Sequence, residues 1–296
     1  MTASIIVITY KRLTELQESI TALLEEKEEF DELILVDNHS GDGTKEYGRT
    51  LAKEEPKVKF YSLDENLGVA GGRNFAITKA TGDILIFLDD DAVFSKKGNI
   101  AAVKRTFDED YQRKIGVLAF RIVNFYTGTM RTEEMPFTDK SLDMSVARRT
   151  SAYIGAGHAI RKEVFEECGV YPEDYFYGVE ELDLSFRVID KGFEIWYWPE
   201  VVVLHKQVVT GRVTNKHKWI MAFRNRMLTS YRYLGAKYRM VIGCILFIKI
   251  AIKSKSLLVP IQGAICYEQD KKKTKKHRVS KETMLYLKNN YGRIWL

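Results

Sequence analysis

Three adjacent carboxylates, Asp89, Asp90 and Asp91, follow the apolar segment 84–88 (ILIFL) of this 296-residue chain. Adjacent carboxylates repel one another, which raises their pKa values unless a cation lies among the oxygens. Mg²⁺ and Mn²⁺ favour oxygen ligands, and substrate phosphates often complete their coordination. A solvated acidic turn is the simpler explanation of most acidic runs, but few of those follow so apolar a strand. The sequence therefore predicts a divalent-cation site here.

A glycine-rich segment, residues 68–74 (GVAGGRN), leads into a predicted helix at 71–80. Glycines let a backbone approach a diphosphate closely, and the N-terminus of a helix favours anions. The segment matches neither the G-x-G-x-x-G pattern nor the P-loop, and a tight structural turn explains it equally well. Asp37 ends the apolar segment 32–37 and suits hydrogen bonding to a nucleoside. An Asx turn is the alternative reading of that residue.

Glu180, Glu181 and Asp183 open a short predicted helix, directly after the aromatic segment 175–178 (YFYG). A carboxylate beside aromatic surface has a raised pKa and suits general-base catalysis. Acidic residues at a helix start also stabilise the helix dipole, and Asp183 can pair with Arg187 one turn later. The dipole explanation covers Asp183 well, but it does not require three carboxylates.

His205 ends the apolar segment 201–204 (VVVL). A lone histidine in that position is more often a core or edge residue than a ligand.

Strand and helix patterns alternate through the first part of the chain, which predicts parallel β-α-β units with both sheet faces covered. The polar clusters described above follow strands, so the carboxyl ends of those strands should gather them at one edge, where ligands bind in such sheets. A polar segment at 126–149, which we call the polar excursion, interrupts the pattern of strands in the later part of the chain. Strands are predicted at 4–10, 32–37, 58–62, 84–88, 115–120, 152–160 and 201–204, and helices at 13–24, 71–80 and 182–189.

Composition and cysteine usage narrow the class of protein. Hydrophobic residues make up 45% of the chain and charged residues 29%, which excludes a disordered or fibrous protein. Three scattered cysteines indicate a reducing compartment and argue against a cysteine-built zinc site. No signal peptide is recognised, because the apolar run 4–10 is short and lacks a basic leader.

Charge is distributed unevenly along the chain. Residues 1–204 contain 25 lysines and arginines against 37 acidic residues, whereas residues 205–296 contain 21 against 3. The basic part should meet an anionic partner: nucleic acid, an acidic membrane or a phosphorylated substrate.

The C-terminal part reads as helical, and its most apolar stretch is 242–252 (IGCILFIKIAI). That stretch is too short to span a bilayer and contains Lys249. It predicts a surface helix on an anionic membrane, with a plain core helix as the alternative. On a membrane surface, we expect this helix to turn Lys249 and Lys253 toward lipid phosphates. The apolar residues expected at the acyl boundary are Ile245, Leu246, Ile248 and Ile252.

Taken in order, the motifs resemble those of the inverting nucleotide-sugar glycosyltransferases of family 2. The likeness covers roughly residues 3–230, and the ordered set is more specific than any single piece. Two of the segments, DNHSGDGT and NLGVAGGRN, look most like the branch of rhamnosyl- and galactofuranosyl-transferases. The segments that carry the likeness are 5–12, 34–44, 65–74, 82–91, 155–169, 177–187, 201–205 and 223–227.

The resemblance implies an α/β chain with the GT-A fold, in which a mixed, mostly parallel sheet joins a nucleotide half to an acceptor half. The catalytic domain would span 1–215, with the halves at about 1–115 and 116–215. The charge and the apolar helical pattern described above, rather than the resemblance, predict that residues 216–296 form a basic helical C-terminal region that associates with a membrane.

The resemblance also assigns roles in metal and donor binding. Asp89 and Asp91 match the D-x-D pair that holds Mn²⁺ or Mg²⁺, and His205 matches a position where such enzymes often place a further ligand. The residues implied in binding the donor nucleotide, sugar or diphosphate are Thr9, Tyr10, Arg12, Asp37, Asn66, Gly71, Arg73, Asn74 and Asp90.

Glu181 matches the family's usual general base, although glutamate stands where aspartate is common. Glu180 and Asp183 therefore stay open as alternatives.

The expected activity is metal-dependent, inverting hexosyl transfer from dTDP-rhamnose or a UDP-sugar to a hydroxyl of a lipid-linked or growing surface polysaccharide. The expected location is cytoplasmic, peripheral on the inner face of the cell membrane. No nucleic-acid partner is expected, and homodimerisation stays open.

Two other functions fit less well. A sugar nucleotidyltransferase would carry a glycine-rich loop after the first strand, and residues 9–12 (TYKR) contain no glycine. A nucleic-acid-binding protein could use the basic part, but the tail lacks an RNA-recognition signature.

Overall fold

The computed structural model describes residues 1–211 and 213–295, and a mixed β-sheet forms its centre. The strand order is β3-β2-β1-β4-β8-β6-β9-β5, with β7 paired to β9. Strands β1 to β4 are mutually parallel, as are β6 and β9, whereas β8 runs antiparallel to β4 and β6. The strands are β1 Ala3–Thr9, β2 Glu32–Asp37, β3 Val58–Ser62, β4 Ile84–Asp89, β5 Ala92–Phe94, β6 Ile115–Asn124, β7 Arg148–Thr150, β8 Gly157–Arg161 and β9 Glu194–His205.

Helices cover both faces of this sheet, because its central strands are apolar on both sides. Ile5 and Val7 of β1 pack toward one core, whereas Ile6 packs toward the other. This alternation is the two-residue period of a strand. The helices are α1 Leu13–Leu24, α2 Thr44–Glu54, α3 Gly68–Lys79, α4 Asn99–Glu109, α5 Lys162–Cys168, α6 Glu180–Asp190, α7 Asn215–Tyr233, α8 Ala236–Ser254, α9 Leu258–Lys271 and α10 Lys281–Asn289.

The predicted fold class is confirmed, but the bounds of several elements differ, and three of these differences concern the elements around the site. Helix α3 begins at Gly68 rather than at residue 71, so the glycine-rich segment forms the first helical turns instead of a loop. The strand predicted at 152–160 is confined to Gly157–Arg161. Strand β9 is much longer than 201–204, and a register shift near Pro199 interrupts its pairing with β6. Proline cannot donate a ladder hydrogen bond, which explains the irregularity there.

Helices α7 and α10 pack on α6, and α8 buries one side against α7 and α9. Ile242, Leu246 and Ile250 of α8 are buried, whereas Ile248 and Ile252 are exposed. The expectation that Leu246 faces lipid is therefore wrong, because at 100° per residue it shares the protein-facing side with the other two buried residues. Among the described residues, none of the helices combines the length and apolarity needed to traverse a bilayer.

Candidate active site

A cavity of about 560 Å³ opens at the carboxyl ends of β1 and β4, and we call it the sheet-edge cavity. Parallel strands deliver their following residues to this edge, as the sequence predicted. Residues 211, 213 and 214, ahead of α7, line the same cavity. The sequence-predicted site residues that line it are Thr9, Tyr10, Arg12, Asn66, Arg73, Asp89, Asp90, Glu180, Glu181 and His205.

Asp89, Asp91 and His205 form a DxD-like metal site, because one ligand atom from each lies within 4.8 Å of the others. His205 Nε2 is 3.2 Å from Asp91 Oδ1 and 3.8 Å from Asp89 Oδ2. The strand pairing explains why these residues lie close together. Strand β5 begins directly after the aspartate triplet, and its first residue, Ala92, pairs with His205 at the end of β9. Residues far apart in sequence thus become neighbours.

Glu134, which the sequence analysis did not single out, fixes the orientation of His205. Its Oε1 lies 2.8 Å from His205 Nδ1 and also accepts from the side-chain amide of Gln207. Burial opposes protonation of His205, but its contacts with Asp91 and Glu134 outweigh burial and raise its pKa to about 9. Burial also raises the pKa of Asp91, but its contact with His205 outweighs burial and lowers the pKa to about 2.

The donor atoms of this site fit a divalent cation. With Nδ1 hydrogen-bonded to a carboxylate, Nε2 can carry the lone pair that a metal binds, as in many histidine–carboxylate pairs at metal sites. Two carboxylates and one imidazole are ligands suited to Mn²⁺ and Mg²⁺. Asp91 and Asp89 lie 3.2 and 3.8 Å from His205 Nε2, so their negative charge is concentrated where the cation would bind.

Arg12 links the aspartate triplet to the segment before α7. Its Nη1 pairs with Asp90 and lies 3.3 Å from Asp91 Oδ1, and its Nε donates to the carbonyl of Thr210 at 2.8 Å. Burial raises the pKa of Asp90 to about 7, although the charge of Arg12 opposes this shift. Asp90 therefore faces Arg12 and is not among the clustered metal-binding groups.

Arg73 joins the metal site to the glutamates of α6. Its Nη1 is 2.8 Å from Glu181 Oε1 and 3.5 Å from Glu180 Oε1, and its Nη2 is 3.6 Å from Asp89 Oδ1. Arg73 also donates to the carbonyl of Gly155 at 3.0 Å. Burial and the neighbouring charge of Glu181 raise the pKa of Glu180 to about 8, so this group holds a proton near neutral pH.

A second cavity of about 640 Å³ lies between the start of α6, the segment 152–155 and helices α7 and α8, and we call it the C-terminal cavity. Glu181 lines both this cavity and the sheet-edge cavity. Glu180 lines only the sheet-edge cavity, and Asp183 lines neither. Of the three candidate bases, Glu181 is thus the one that touches both spaces.

Asp183 is buried in a separate network of α6 and α7. Its carboxylate accepts from Arg232 at 2.9 Å, from Arg187 at 3.2 Å and from the Tyr233 hydroxyl at 3.1 Å. The contacts with Arg232 and Tyr233 tie α7 to α6, whereas Arg187 belongs to α6 itself. Asp183 lines neither cavity.

Three of the predicted donor-binding residues lie behind the cavity wall. Asp37 ends β2 and accepts from the amide of Ser40 at 2.9 Å. The side chain of Asn74 donates to and accepts from the backbone of Tyr171, at 2.9 and 3.0 Å. Gly71 lies within α3, where a methyl group would press on Leu67. Asp37 and Asn74 thus hold neighbouring backbone in place, and donor contact by these three residues stays a prediction.

Asn38 lines the sheet-edge cavity and positions the start of α3. Its side chain donates to the carbonyl of Gly68 and accepts from the amide of Leu67, both at 2.9 Å. The next amide, that of Val69, donates to the carbonyl of Phe176 at 2.9 Å, so the aromatic segment before α6 closes over this helix end. In the sequence, Asn38 is recognisable only as one of several turn-forming residues after β2.

Two solved structures share the fold of this chain. The GalNAc-T7 structure with UDP, GalNAc and Mn²⁺ is 16% identical, with a TM-score of 0.66 over 91% of this chain and 57% of that one. The mannosyltransferase PcManGT from Pyrobaculum calidifontis, in complex with GDP-Man and Mn²⁺, is 18% identical, with a TM-score of 0.57 over 97% and 78%. Both likenesses show that the chain has the GT-A fold.

The chain belongs to glycosyltransferase family 2, since the model of that family, Glycosyl transferase family 2, matches residues 4–169. An uncharacterised protein of Haemophilus influenzae is 35% identical over 171 residues, which are 57% of this chain and 92% of that protein. The uncharacterised glycosyltransferase YfnE of Bacillus subtilis is 26% identical, over 70% of this chain and 65% of its own length. The predicted enzyme class, a glycosyltransferase, is thereby confirmed.

Proposed function

We propose that this enzyme transfers a hexosyl group from dTDP-rhamnose or a UDP-sugar to a hydroxyl of a lipid-linked or growing surface polysaccharide, with inversion. The observation that carries the proposal is the position of Glu181, at the junction of the sheet-edge and C-terminal cavities. A base that deprotonates an acceptor hydroxyl must reach both the acceptor and the donor sugar. The nucleotide sugars or nucleotides held by the two structural neighbours support a donor of this class.

The donor occupies the sheet-edge cavity in this proposal. Thr9, Tyr10 and Arg12 bind the nucleotide, and Asn66 and Arg73 bind the diphosphate or the sugar. Two buried residues behind the wall, Asp37 and Asn74, position these groups through the backbone contacts already described, and Gly71 lies in the same helix as Asn74.

Mn²⁺ or Mg²⁺ would be held by Asp89, Asp91 and His205. When bound there, the cation supplies Lewis acidity that stabilises the negative charge of the departing diphosphate. Asp90 acts indirectly, because its carboxylate pairs with Arg12 and so fixes a cationic side chain on the donor side.

Glu181 accepts the proton of the acceptor hydroxyl as that oxygen bonds to the anomeric carbon. The bond from the anomeric carbon to the diphosphate oxygen breaks, and its electron pair leaves with the diphosphate. A single displacement from the opposite face inverts the configuration, and it needs no covalent nucleophile. Arg73, at 2.8 Å from Glu181 Oε1, holds the base in place between the two cavities.

We also propose that the C-terminal region, 216–296, docks the catalytic domain, 1–215, on the anionic inner face of the cell membrane from the cytoplasmic side. Helices α8 and α9 and the turn between them expose apolar side chains, which we call the apolar C-terminal face, and the exposed Lys255 lies among them in sequence. Such a surface suits interfacial binding to acidic lipid. The apolar C-terminal face consists of Ile245, Ile248, Ile252, Leu257, Leu258, Ile261 and Ile265.

A donor screen by thermal shift tests the proposed activity. The purified chain is melted with dTDP-rhamnose, UDP-sugars and GDP-mannose, each with Mn²⁺, Mg²⁺ or EDTA. A ligand at 100 times its dissociation constant stabilises by about 2.7 kcal/mol, so a true donor gives a clear shift only with metal. Asp91→Asn should lose that shift, whereas Asp143→Asn, in the exposed excursion, should keep it. Undiminished transfer in excess EDTA, or by Asp91→Asn, would refute the metal-dependent donor site.

A further inference from the structure

The C-terminal cavity is lined by more positive than negative charge. Two carboxylates line it, those of Glu133 and Glu181, and the second of these is already paired with Arg73. Sugars and their hydroxyl groups carry no charge, so a neutral acceptor would leave this excess uncompensated. The basic side chains that line the C-terminal cavity are Lys140, Arg226, Lys249, Lys253 and Arg293.

Arg226 is the most deeply buried of these cations. It is 5% exposed, and its Nη1 is buried with no hydrogen-bond partner among the residues that the structure describes. Its Nη2 donates to the backbone carbonyl of Arg293, and within the described ranges neither arginine forms an ion pair. A buried guanidinium with an unused donor costs free energy unless an acceptor reaches it.

The lysines of the cavity also show the effect of unbalanced positive charge. Burial, together with the charges of Arg293 and Lys249, lowers the pKa of Lys140 to about 8. Burial and the charge of Lys253 lower the pKa of Lys249 in the same direction. Lys253 lies 3.8 Å from the exposed carboxylate of Glu133, a distance at which the attraction is weak.

We propose that the C-terminal cavity binds a phosphate group of the acceptor, with Arg226, Lys249 and Arg293 as its principal contacts. The proposal rests on the proposed function, because it names the chemical class of the acceptor used at the same site. Guanidinium groups match phosphate oxygens bidentately, and a phosphate brings enough negative charge to balance several cations. Glu181 lines the same cavity, so the phosphate anchors the acceptor with a nearby hydroxyl facing the base.

Phosphate binding is measured first, independently of sugar transfer. Inorganic pyrophosphate is titrated into the full chain by calorimetry in EDTA, which removes metal from the sheet-edge cavity. Lys249→Gln should raise the dissociation constant roughly tenfold or more, since it removes one charged contact. The matched control is Lys255→Gln, which removes the same charge from the terminus of α8, outside the cavity, and should change it less than about twofold. Equal affinity in wild type and both variants would overturn the proposal.

The source of the phosphate is decided with acceptors. A diphosphate-linked lipid sugar, a water-soluble glycan with a phosphodiester and a neutral alkyl glycoside are compared under the same donor. Phosphate recognition predicts a lower KM for one of the two phosphorylated acceptors, and Lys249→Gln should raise that KM while kcat stays unchanged. Equal KM values for neutral and phosphorylated acceptors would overturn the phosphate site but leave the proposed function standing. Absence of transfer to every acceptor, with no donor binding, would instead count against the proposed function.

Discussion

At the scale of single residues, Glu134 controls which nitrogen of His205 faces the aspartates. The hydrogen bond from Nδ1 to Glu134 Oε1 fixes the imidazole, so its Nε2 is directed at Asp89 and Asp91. Outer carboxylates of this kind usually set metal affinity almost as strongly as the ligands themselves.

Glu134→Gln should therefore weaken Mn²⁺ binding by about 10- to 100-fold, because a neutral amide polarises the imidazole less than a carboxylate does. Calorimetric titration of Mn²⁺ measures the change. Glu133→Gln is the matched control, because the side chain of Glu133, the neighbouring residue, is 74% exposed and does not contact His205. An unchanged Mn²⁺ affinity in Glu134→Gln would show that the second carboxylate has no part in the site.

The sequence indicated most of this site but not its support. Asp89, Asp91 and Glu181 stand out locally, because each is acidic at the end of a strand or the start of a helix. Glu134 lies in a short 3-10 helix, Thr132–Glu134, within the polar excursion, and only tertiary contacts bring it to β9. No spacing in the sequence encodes that contact.

At the scale of elements, the start of α3 depends on Gly68. Its φ of +72° is a conformation that favours glycine, and a methyl group there would collide with the carbonyl of Phe176. The glycine therefore permits both the turn into the helix and the close approach of the aromatic segment.

Gly68→Ala should destabilise the protein by about 1–3 kcal/mol more than Gly98→Ala does. Gly98 also has a positive φ, +87°, but open space surrounds it, so that variant reports the conformational cost alone. Urea unfolding of both variants measures the difference. Equal losses of stability would mean that the contact with Phe176 does not constrain this helix end.

Glu32 ties the start of β2 to its neighbours. Its carboxylate accepts from the Ser4 hydroxyl and the Thr81 amide and pairs with Lys59. Burial raises the pKa of Glu32, but these contacts outweigh it and lower the pKa from 4.5 to about 2.

A depressed pKa means that Glu32 stabilises the fold above pH 4.5 and loses this contribution as the pH falls toward 2. Glu32→Gln should accordingly be less stable than wild type at pH 7, and the difference should shrink steadily below pH 4.5. Denaturant midpoints from pH 7 to pH 2 test this. A difference that stays constant over that range would rule out the titration of Glu32 as its source.

The sequence predicted the elements best where apolar runs are long. Strands β2 and β3 match their predicted bounds, since β-branched and aromatic residues fill them between clear turns. The segment 152–156 reads as apolar but lies outside β8, which begins at Gly157. Its Gly155 carbonyl accepts a hydrogen bond from the Arg73 side chain, a contact that the local sequence pattern does not reveal.

At the scale of the whole molecule, the uneven charge of the sequence divides between two surfaces. All four lysines of α8 and its C-terminal cap are exposed, but Lys249 and Lys253 line the C-terminal cavity, whereas Lys237 and Lys255 do not. The sequence predicted a basic region and an apolar helix. Only the packing of α8 shows which lysines line the C-terminal cavity and which lie outside it.

Membrane docking predicts that the chain floats with anionic vesicles and that high salt releases it. Ile252→Glu should reduce flotation severalfold, because it places a carboxylate on the apolar C-terminal face. Tyr111→Glu makes the same charge change at a 90% exposed residue of the catalytic domain and should not reduce flotation. Equal recovery with neutral and anionic vesicles, or none with either, would contradict docking.

The central claim is that Glu181 is the base between donor and acceptor, and turnover by three isosteric variants tests it most directly. Glu181→Gln keeps the shape of the side chain and removes its basicity, so transfer should fall by roughly 10² to 10⁴ while donor affinity persists. Glu180→Gln should lose less, because burial already favours its protonated form, and Asp183→Asn should act through stability, since it lines neither cavity. Near-normal kcat in Glu181→Gln, with loss in either neighbour, would contradict the assignment.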